Sequence, residues 1–192
     1  TGQLTSRIRA QERDERRREQ RAQALYRLIR SIATAATMDE VLSNAVTQIH
    51  EILGATTAFL MGQSQFGLTS KAHPASTFHP DEKERGVATW VYRNRRNAGR
   101  FTDTLPSAQA FHLPLVTSEQ VMGVMAVQPK ADETFTLDQR DLLESFARQI
   151  AIVLEKEKLR HDAETASVLS KSDQLHRALF NSISHELRTP LS

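Results

Sequence analysis

The sequence predicts an α+β protein: an antiparallel sheet with helices on one face, flanked by long N- and C-terminal helices that pair as a dimeric coiled coil. Three observations carry this. Segments of helical and strand period follow one another as helix, strands, helix, strands, helix between residues 38 and 155. Val121 to Val127 reads Val-Met-Gly-Val-Met-Ala-Val without alternation, so both faces of that strand are covered, by helices on one side and by loops or a ligand pocket on the other. From Thr136 to Thr189 the helical pattern meets neither Gly nor Pro. An unbroken helix there would be about 80 Å long at about 1.5 Å per residue, far more than one small domain can cover.

Taken in order, Leu4 to about Ala36 lacks Gly and Pro and ends in a heptad-like group of Leu25, Leu28, Ile29 and Ile32, so it reads as a long helix that pairs near its C-terminal end. Thr37 and Glu40 form a capping-box pattern ahead of Val41, Leu42, Ala45, Val46, Ile49, Ile52 and Leu53, an amphipathic helix closed by Gly54. Thr56 to Met61 suits a strand, and Gln65 to Ala72 suits its partner across a turn at Gly62 to Ser64. Asp81 to about Arg95 reads as a helix with Val87, Trp90 and Val91 on one face, and Gly99 marks a break. Arg100 to Ser107 has no period and reads as a loop. Ala110 to Val116 and Val121 to Gln128 form the strongest strand pair, joined by the polar turn Thr117 to Gln120. Thr136 and Gln139 repeat the capping-box spacing before the last helix, in which Phe146, Ile150, Val153 and Leu154 suit core packing. Leu159, Ala163, Ala166 and Leu169 form a narrow coiled-coil seam, whose simplest partner is a second copy in parallel, and Ser170 to Asp173 is a polar weak point.

With 39% hydrophobic residues in 192, the chain has material for one compact domain plus extended helices, not for two large domains. The absence of cysteine excludes disulfides, thiolate metal sites and thiol nucleophiles together, and suits a reducing compartment. No run approaches the roughly 18 apolar residues of a membrane span and no signal peptide opens the chain, so the chain is expected to be soluble. Residues 1 to 30 hold nine arginines against four acids, and the rest carries an excess of acids. Because Glu12, Asp14, Glu15 and Glu19 are interleaved with Arg7 to Arg21 and no aromatic stacker accompanies them, this stretch reads as a solvated, ion-paired helix and no nucleic-acid partner is expected. Another reading is a juxtamembrane helix whose arginines face anionic lipid on the cytoplasmic side.

The last dozen residues carry the chemistry. At about 100° per residue, Leu179, Phe180, Ile183 and Leu187 form one apolar stripe and His185 projects roughly 190° from its centre, with Asn181 and Thr189 on the same open face. Glu186 can reach one ring nitrogen while leaving the other free to attack. Pro190, with no N–H to give, should bend or stop the helix.

The run Ser184-His185-Glu186-Leu187-Arg188-Thr189-Pro190-Leu191 resembles the H-box of sensor histidine kinases, the dimerisation and phosphoacceptor helix of two-component signalling. The resemblance implies that His185 accepts the γ-phosphoryl group of ATP, that Glu186 orients and deprotonates the imidazole, that Thr189 aligns water or the partner in the phosphatase reaction, and that Pro190 supplies a kink that moves during signalling. It also implies phosphotransfer to a response regulator. The element order of residues 38 to 155 resembles a GAF domain. Trp90-Val91, Ala98-Gly99, Thr102-Asp103-Thr104-Leu105-Pro106, Leu113-Pro114-Leu115 and Gly123-Val124 resemble the GAF region of the bacterial Kdp potassium and osmotic sensor kinases. Gly2-Gln3-Leu4-Thr5 is similar to the residues that follow their last transmembrane helix. The implied organisation is a juxtamembrane signalling helix over residues 1–36, a GAF-like domain over 37–155, a coiled-coil linker helix over 156–173 and the start of a dimerisation and phosphoacceptor domain over 174–192. The implied setting is a homodimer on the cytoplasmic side of the bacterial inner membrane, held there by transmembrane helices preceding residue 1, in potassium or osmotic regulation.

The chain reaches Ser192 without the Gly-rich lid or Asn-containing helix that such kinases use to hold Mg-ATP, and it has no Gly-x-x-x-x-Gly-Lys phosphate loop. Mg-ATP is therefore expected on a catalytic domain of the full-length protein, with no cofactor bound here and no autonomous kinase activity. A non-enzymatic GAF module that binds a small molecule or only dimerises is the alternative. Trp90, Arg100 and Asp103 are the candidate ligand-binding residues, although Trp90 at helical spacing from Val87 also suits a core position. His73, His79 and Asp81 lie close enough in sequence to be joint metal ligands, but no helical His-x-x-x-His pair or second cluster accompanies them, so no metal is expected. His50, His112, His161 and His176 lack a partner constellation in the sequence.

Overall fold

A strand with no polar face must be enclosed, and β5 (Val121–Gln128) is: it is the middle strand of a five-stranded antiparallel sheet of order β2-β1-β5-β4-β3. The computed structural model describes residues 2–63, 67–130 and 133–186, with side-chain surroundings for all of these except 2–8, 10, 14, 173, 178 and 180–186. β1 (Thr56–Gln63) pairs with one edge of β5 and β4 (Phe111–Val116) with the other, so that Phe59 and Leu113 both stand opposite Met125. β2 (Gly67–Leu68) and β3 (Ala98–Gly99) are two-residue edge strands. The chain divides into two units, residues 1–155 and residues 156–192.

Within the first unit the strand period of two sorts side chains onto two faces. Phe59, Phe111, Leu113, Leu115, Met125 and Val127 form one large core with α1 (Gly2–Ala33), α2 (Met38–Leu53) and the start of α4 (Leu137–Glu186). The opposite face bears smaller side chains. There Leu60 and Val124 meet Val87, Ala88 and Val91 of α3 (Glu82–Asn94), while Phe78 and Ala72 pack on Ala58, Ala110 and Ala126. The helices are thus not all on one face, as the sequence suggests: α3 covers the second.

The helix ends follow local chemistry. Thr37 accepts from Glu40 N–H at 3.2 Å, and the Glu40 carboxylate reaches Ala36 N–H at 2.7 Å, one residue beyond the usual capping-box target. Gly54 closes α2 in the left-handed region. Asp81 caps α3 through Glu84 N–H, and Thr136 and Gln139 satisfy each other's N–H at the start of α4, at 3.2 and 2.9 Å. α4 then runs unbroken through Ser170 to Asp173 to Glu186.

The outer edge of β1 is sealed without a full partner strand. Among the described residues of the expected Gln65 to Ala72 strand, Gly67 and Leu68 pair with it. Beyond them, Thr69, His73 and Thr77 donate their N–H groups to the carbonyls of Met61, Phe59 and Thr57 at 2.7–2.8 Å. The hydroxyls of Thr69, Ser76 and Thr77 accept from the N–H groups of the same three residues at 2.9–3.2 Å. Hydroxyl side chains replace missing carbonyls, and the edge is closed to further pairing.

The C-terminal part of α1 belongs to the core. Ala24, Leu28 and Ile32 are buried and Asn44 donates to the Ser31 carbonyl at 2.8 Å, whereas Tyr26 and Ile29 are exposed. The group Leu25, Leu28, Ile29 and Ile32 therefore splits between the chain's own core and solvent. In the second unit, Arg160 bridges Glu157 and Glu164 at 2.7 and 2.8 Å along the helix surface, the spacing that favours ion pairs on one face.

Leu28 is 0% exposed and Ile29 38%, which sets an expected contrast. Leu28→Ala should cost about 2–4 kcal/mol in urea unfolding, and Ile29→Ala within about 0.5 kcal/mol. Equal costs for the two would place the wrong face of α1 in the core.

Candidate functional site

The backbone of His185 and Glu186 lies in the last described turn of α4. Their side chains lie outside the described set, and Thr189 and Pro190 lie outside the described residues altogether. Upstream, within residues 156–179, Leu159, Val168, Leu169, Leu175 and Leu179 are exposed, as are Ala163 and Ala166 of the expected seam. At about 100° per residue Leu159, Ala163, Ala166 and Leu169 share one stripe, a narrow seam of the kind that a partner helix covers, whereas Val168, Leu175 and Leu179 lie on the other side of the helix.

The candidate ligand residues do not gather in one place. Trp90 is half-buried against the α3 cluster. Arg100 lies 5.1 Å over the Phe101 ring and donates to the Glu133 carbonyl at 3.4 Å, and Asp103 is exposed. No hydrogen bond, ion pair or ring contact joins these three. The loop they border is tightly knit: the Gly99 N–H donates to the Thr104 carbonyl at 2.8 Å, Arg140 donates to the Phe101 carbonyl at 2.8 Å, and Phe101 meets Phe135 edge to face. Phe101 and Leu105 both adopt positive φ within it.

The histidines near residue 75 have separate fates. His73 Nδ1 accepts from Ala75 N–H at 3.2 Å, so its proton sits on Nε2, which meets Asp39 Oδ1 at 3.0 Å. Asp81 is occupied as the α3 cap. Among the described residues no three His, Cys, Asp or Glu side chains converge.

A buried polar pair escapes the sequence reading. Glu84 and His112 are both buried in the second face, joining α3 to β4. The Glu84 carboxylate accepts from Gln109 and Ala110 N–H at 2.7 and 3.3 Å, and its Oε2 is 3.4 Å from His112 Nε2. His112 Nδ1 lies 3.1 Å from the Ala110 carbonyl, which can only accept, so the ring proton sits on Nδ1. Burial pushes His112 down to about 4, opposed by the hydrogen bonds to Ala110 and to the Glu84 backbone. The neutral ring leaves Nε2 without a hydrogen-bond partner. Gly99, at φ +94°, makes this packing possible, because a Cβ there would lie 2.4 Å from the Ala110 oxygen and 2.9 Å from His112 Nδ1. The signal was present in the sequence: Glu84 shares the spacing of Val87, Ala88 and Val91, a carboxylate within an apolar stripe.

This sheet, enclosed by helices on both faces, defines the class: the chain belongs to the GAF domain family, which matches residues 37–156. Along its whole length it is similar to the sensor protein KdpD of Escherichia coli (strain K12), 31% identical over 192 residues, which cover 100% of this chain and 21% of that protein. It is 25% identical over 197 residues to the sensor protein KdpD of Clostridium acetobutylicum, covering 100% of this chain and 22% of the relative. The chain therefore spans about a fifth of the length of these relatives. Among solved structures, the GAF domain of the potassium sensor histidine kinase KdpD from Escherichia coli superposes with a TM-score of 0.63 at 25% identity, covering 74% of this chain and 98% of that one. The free methionine-R-sulfoxide reductase of Neisseria meningitidis, at 13% identity and a TM-score of 0.54 over 73% of this chain and 91% of that one, shares the fold alone.

The lowered His112 pKa makes stability depend on pH in a fixed direction. Above about 6.5 neither the folded nor the unfolded chain protonates this ring, and its contribution is complete. Between about 6.5 and about 4 only the unfolded chain takes up the proton, so stability falls as pH falls. The full effect is about 3 kcal/mol. Urea titrations through this range should show a steeper acid loss for the parent than for His112→Gln. Parallel slopes would mean that the ring is not held neutral.

Proposed function

We propose that the chain is the sensory and phosphoacceptor region of a KdpD-type sensor histidine kinase, acting as a homodimer on the cytoplasmic side of a bacterial inner membrane in potassium or osmotic regulation. The observation that carries this reading is the extent of the similarity. It covers the whole chain, past the end of the GAF match at residue 156, through the helix bearing His185 and into Glu186-Leu187-Arg188-Thr189-Pro190. A helix that continues from the GAF core to His185 with no break also supports it, since a continuous helix carries a change at one end to the other.

In the proposed chemistry a ring nitrogen of His185 attacks the γ-phosphorus of Mg-ATP held by a separate catalytic domain. The P–N bond forms as the bond to the bridging oxygen breaks, and ADP leaves with that electron pair. Glu186 orients the imidazole and takes its proton. Thr189 aligns water when phosphatase activity removes phosphate, Pro190 lets the helix kink, and the phosphoryl group passes to a response regulator. The exposed seam of Leu159, Ala163, Ala166 and Leu169 supports pairing with a second copy.

Radiolabelled ATP and a separately prepared histidine-kinase ATP-binding domain, mixed with the chain extended through the second helix of its hairpin, provide the test. The parent should acquire an acid-labile label, and His185→Gln should fall to background. Equal labelling of the two chains would remove His185 as the acceptor.

A further inference from the structure

The β4–β5 turn does more than reverse the chain. Thr117 N–H donates to the Gln120 carbonyl at 2.9 Å, and Gln120 N–H donates to Thr117 Oγ1 at 3.2 Å, so the turn is rigid and its hydroxyl is aimed. Thr117 Oγ1 donates to Glu155 Oε1 of α4 at 2.6 Å, and Gln120 Nε2 approaches the same oxygen at 3.4 Å. That hydroxyl also lies 3.2 Å from the Gln120 carbonyl, but it has one proton to give, and the shorter bond to a carboxylate is the stronger.

The place of this contact matters. Among the described side chains Leu154 is the last buried one of α4, Glu155 is the last residue of the first unit, and Ile152 and Lys156 are exposed. The Glu155 carboxylate thus bonds α4 to the β4–β5 turn at the end of the first unit. The turn it touches joins β4 to the central strand β5, and both strands carry residues of the second face, where α3 and the Glu84–His112 pair lie. A shift of β4 against β5 therefore reaches Glu155 through one rigid turn, with no loop to absorb it.

We infer that Thr117 and Glu155 form a grip that fixes where α4 leaves the GAF core, and that releasing it changes phosphoryl transfer at the far end of the helix. Thr117 and Glu155 are positioning residues, since neither touches a reacting atom. The second half of this inference rests on the proposed phosphoacceptor reading; the first half does not.

Hydrogen exchange on the chain, followed by peptide, separates the two halves. Thr117→Val keeps the shape and removes the donor, Glu155→Gln removes the charge, and Thr117→Ser keeps the hydroxyl. The expected result for the first two is exchange about tenfold to a hundredfold faster in residues 150–158, with α2 and β1 unchanged and with Thr117→Ser matching the parent. Unchanged exchange, a uniform rise that includes α2 and β1, or no rescue by serine would overturn the grip. In the labelling assay with a separate ATP-binding domain, Thr117→Val should change the labelling rate at least about threefold, a loss of alignment being felt steeply in such reactions. An unchanged rate together with faster local exchange would overturn the coupling. If His185→Gln labels as well as the parent, the phosphoacceptor reading fails, while the exchange result still decides the grip.

Discussion

Enclosure of β5 is the constraint from which the rest of the fold follows. Both of its edges are paired and six of its eight residues are buried, so cover is needed on each face. Packing begins at the backbone. A Cβ at Gly123 would lie 2.5 Å from the Leu60 carbonyl oxygen, so β1 and β5 could not approach as they do with any other residue there. Large side chains on one face call for three helices. Small ones on the other, Ala58, Ala110 and Ala126, allow Phe78 to sit close to the sheet. What space remains in the second face is taken by α3 and by the buried polar pair Glu84–His112, whose carboxylate bonds to backbone, which ties helix and sheet together.

Much of this was legible in the residues because it is local. Thr37, Gly54, Asp81, Thr136 and Gln139 act within one turn of their own position, and each caps the helix that its type and spacing indicate. The run from Val121 to Gln128 needs no partner to reveal that it is enclosed. Long-range features were less legible. Nothing in the spacing of Thr69, Ser76 and Thr77 shows that their hydroxyls would stand in for carbonyls along β1, because that depends on the path of the loop. β3 is two residues long and carries no period. His112 read as a histidine without partners because Glu84 lies 28 positions earlier, on another element.

The two long helices show a different limit. Amphipathic spacing reveals that a face will be covered but not by what. In α1 the face with Ala24, Leu28 and Ile32 is covered by the chain itself, joined by Arg21, whose guanidinium meets Asp141 at 3.5 Å and its carbonyl at 3.3 Å. In α4 the same kind of spacing first meets the core at Leu143, Phe146, Ile150 and Leu154, then continues with residues that the chain leaves exposed. Across Glu155 both the apolar face and its environment change.

That discontinuity has energetic content. Each buried Leu, Ile or Phe side chain up to Leu154 contributes about 1.5–3 kcal/mol. Beyond it, exposed ion pairs of the Arg160–Glu164 kind are screened by solvent and add little. The first part is therefore held firmly in register with the sheet, and the second depends on whatever covers Leu159 and the residues after it. A helix so divided responds most to forces applied at the border. Before the border the core resists displacement. Glu155 stands at that border and bonds to the turn leading into the central strand, so the enclosed strand and the helix are joined there through one carboxylate.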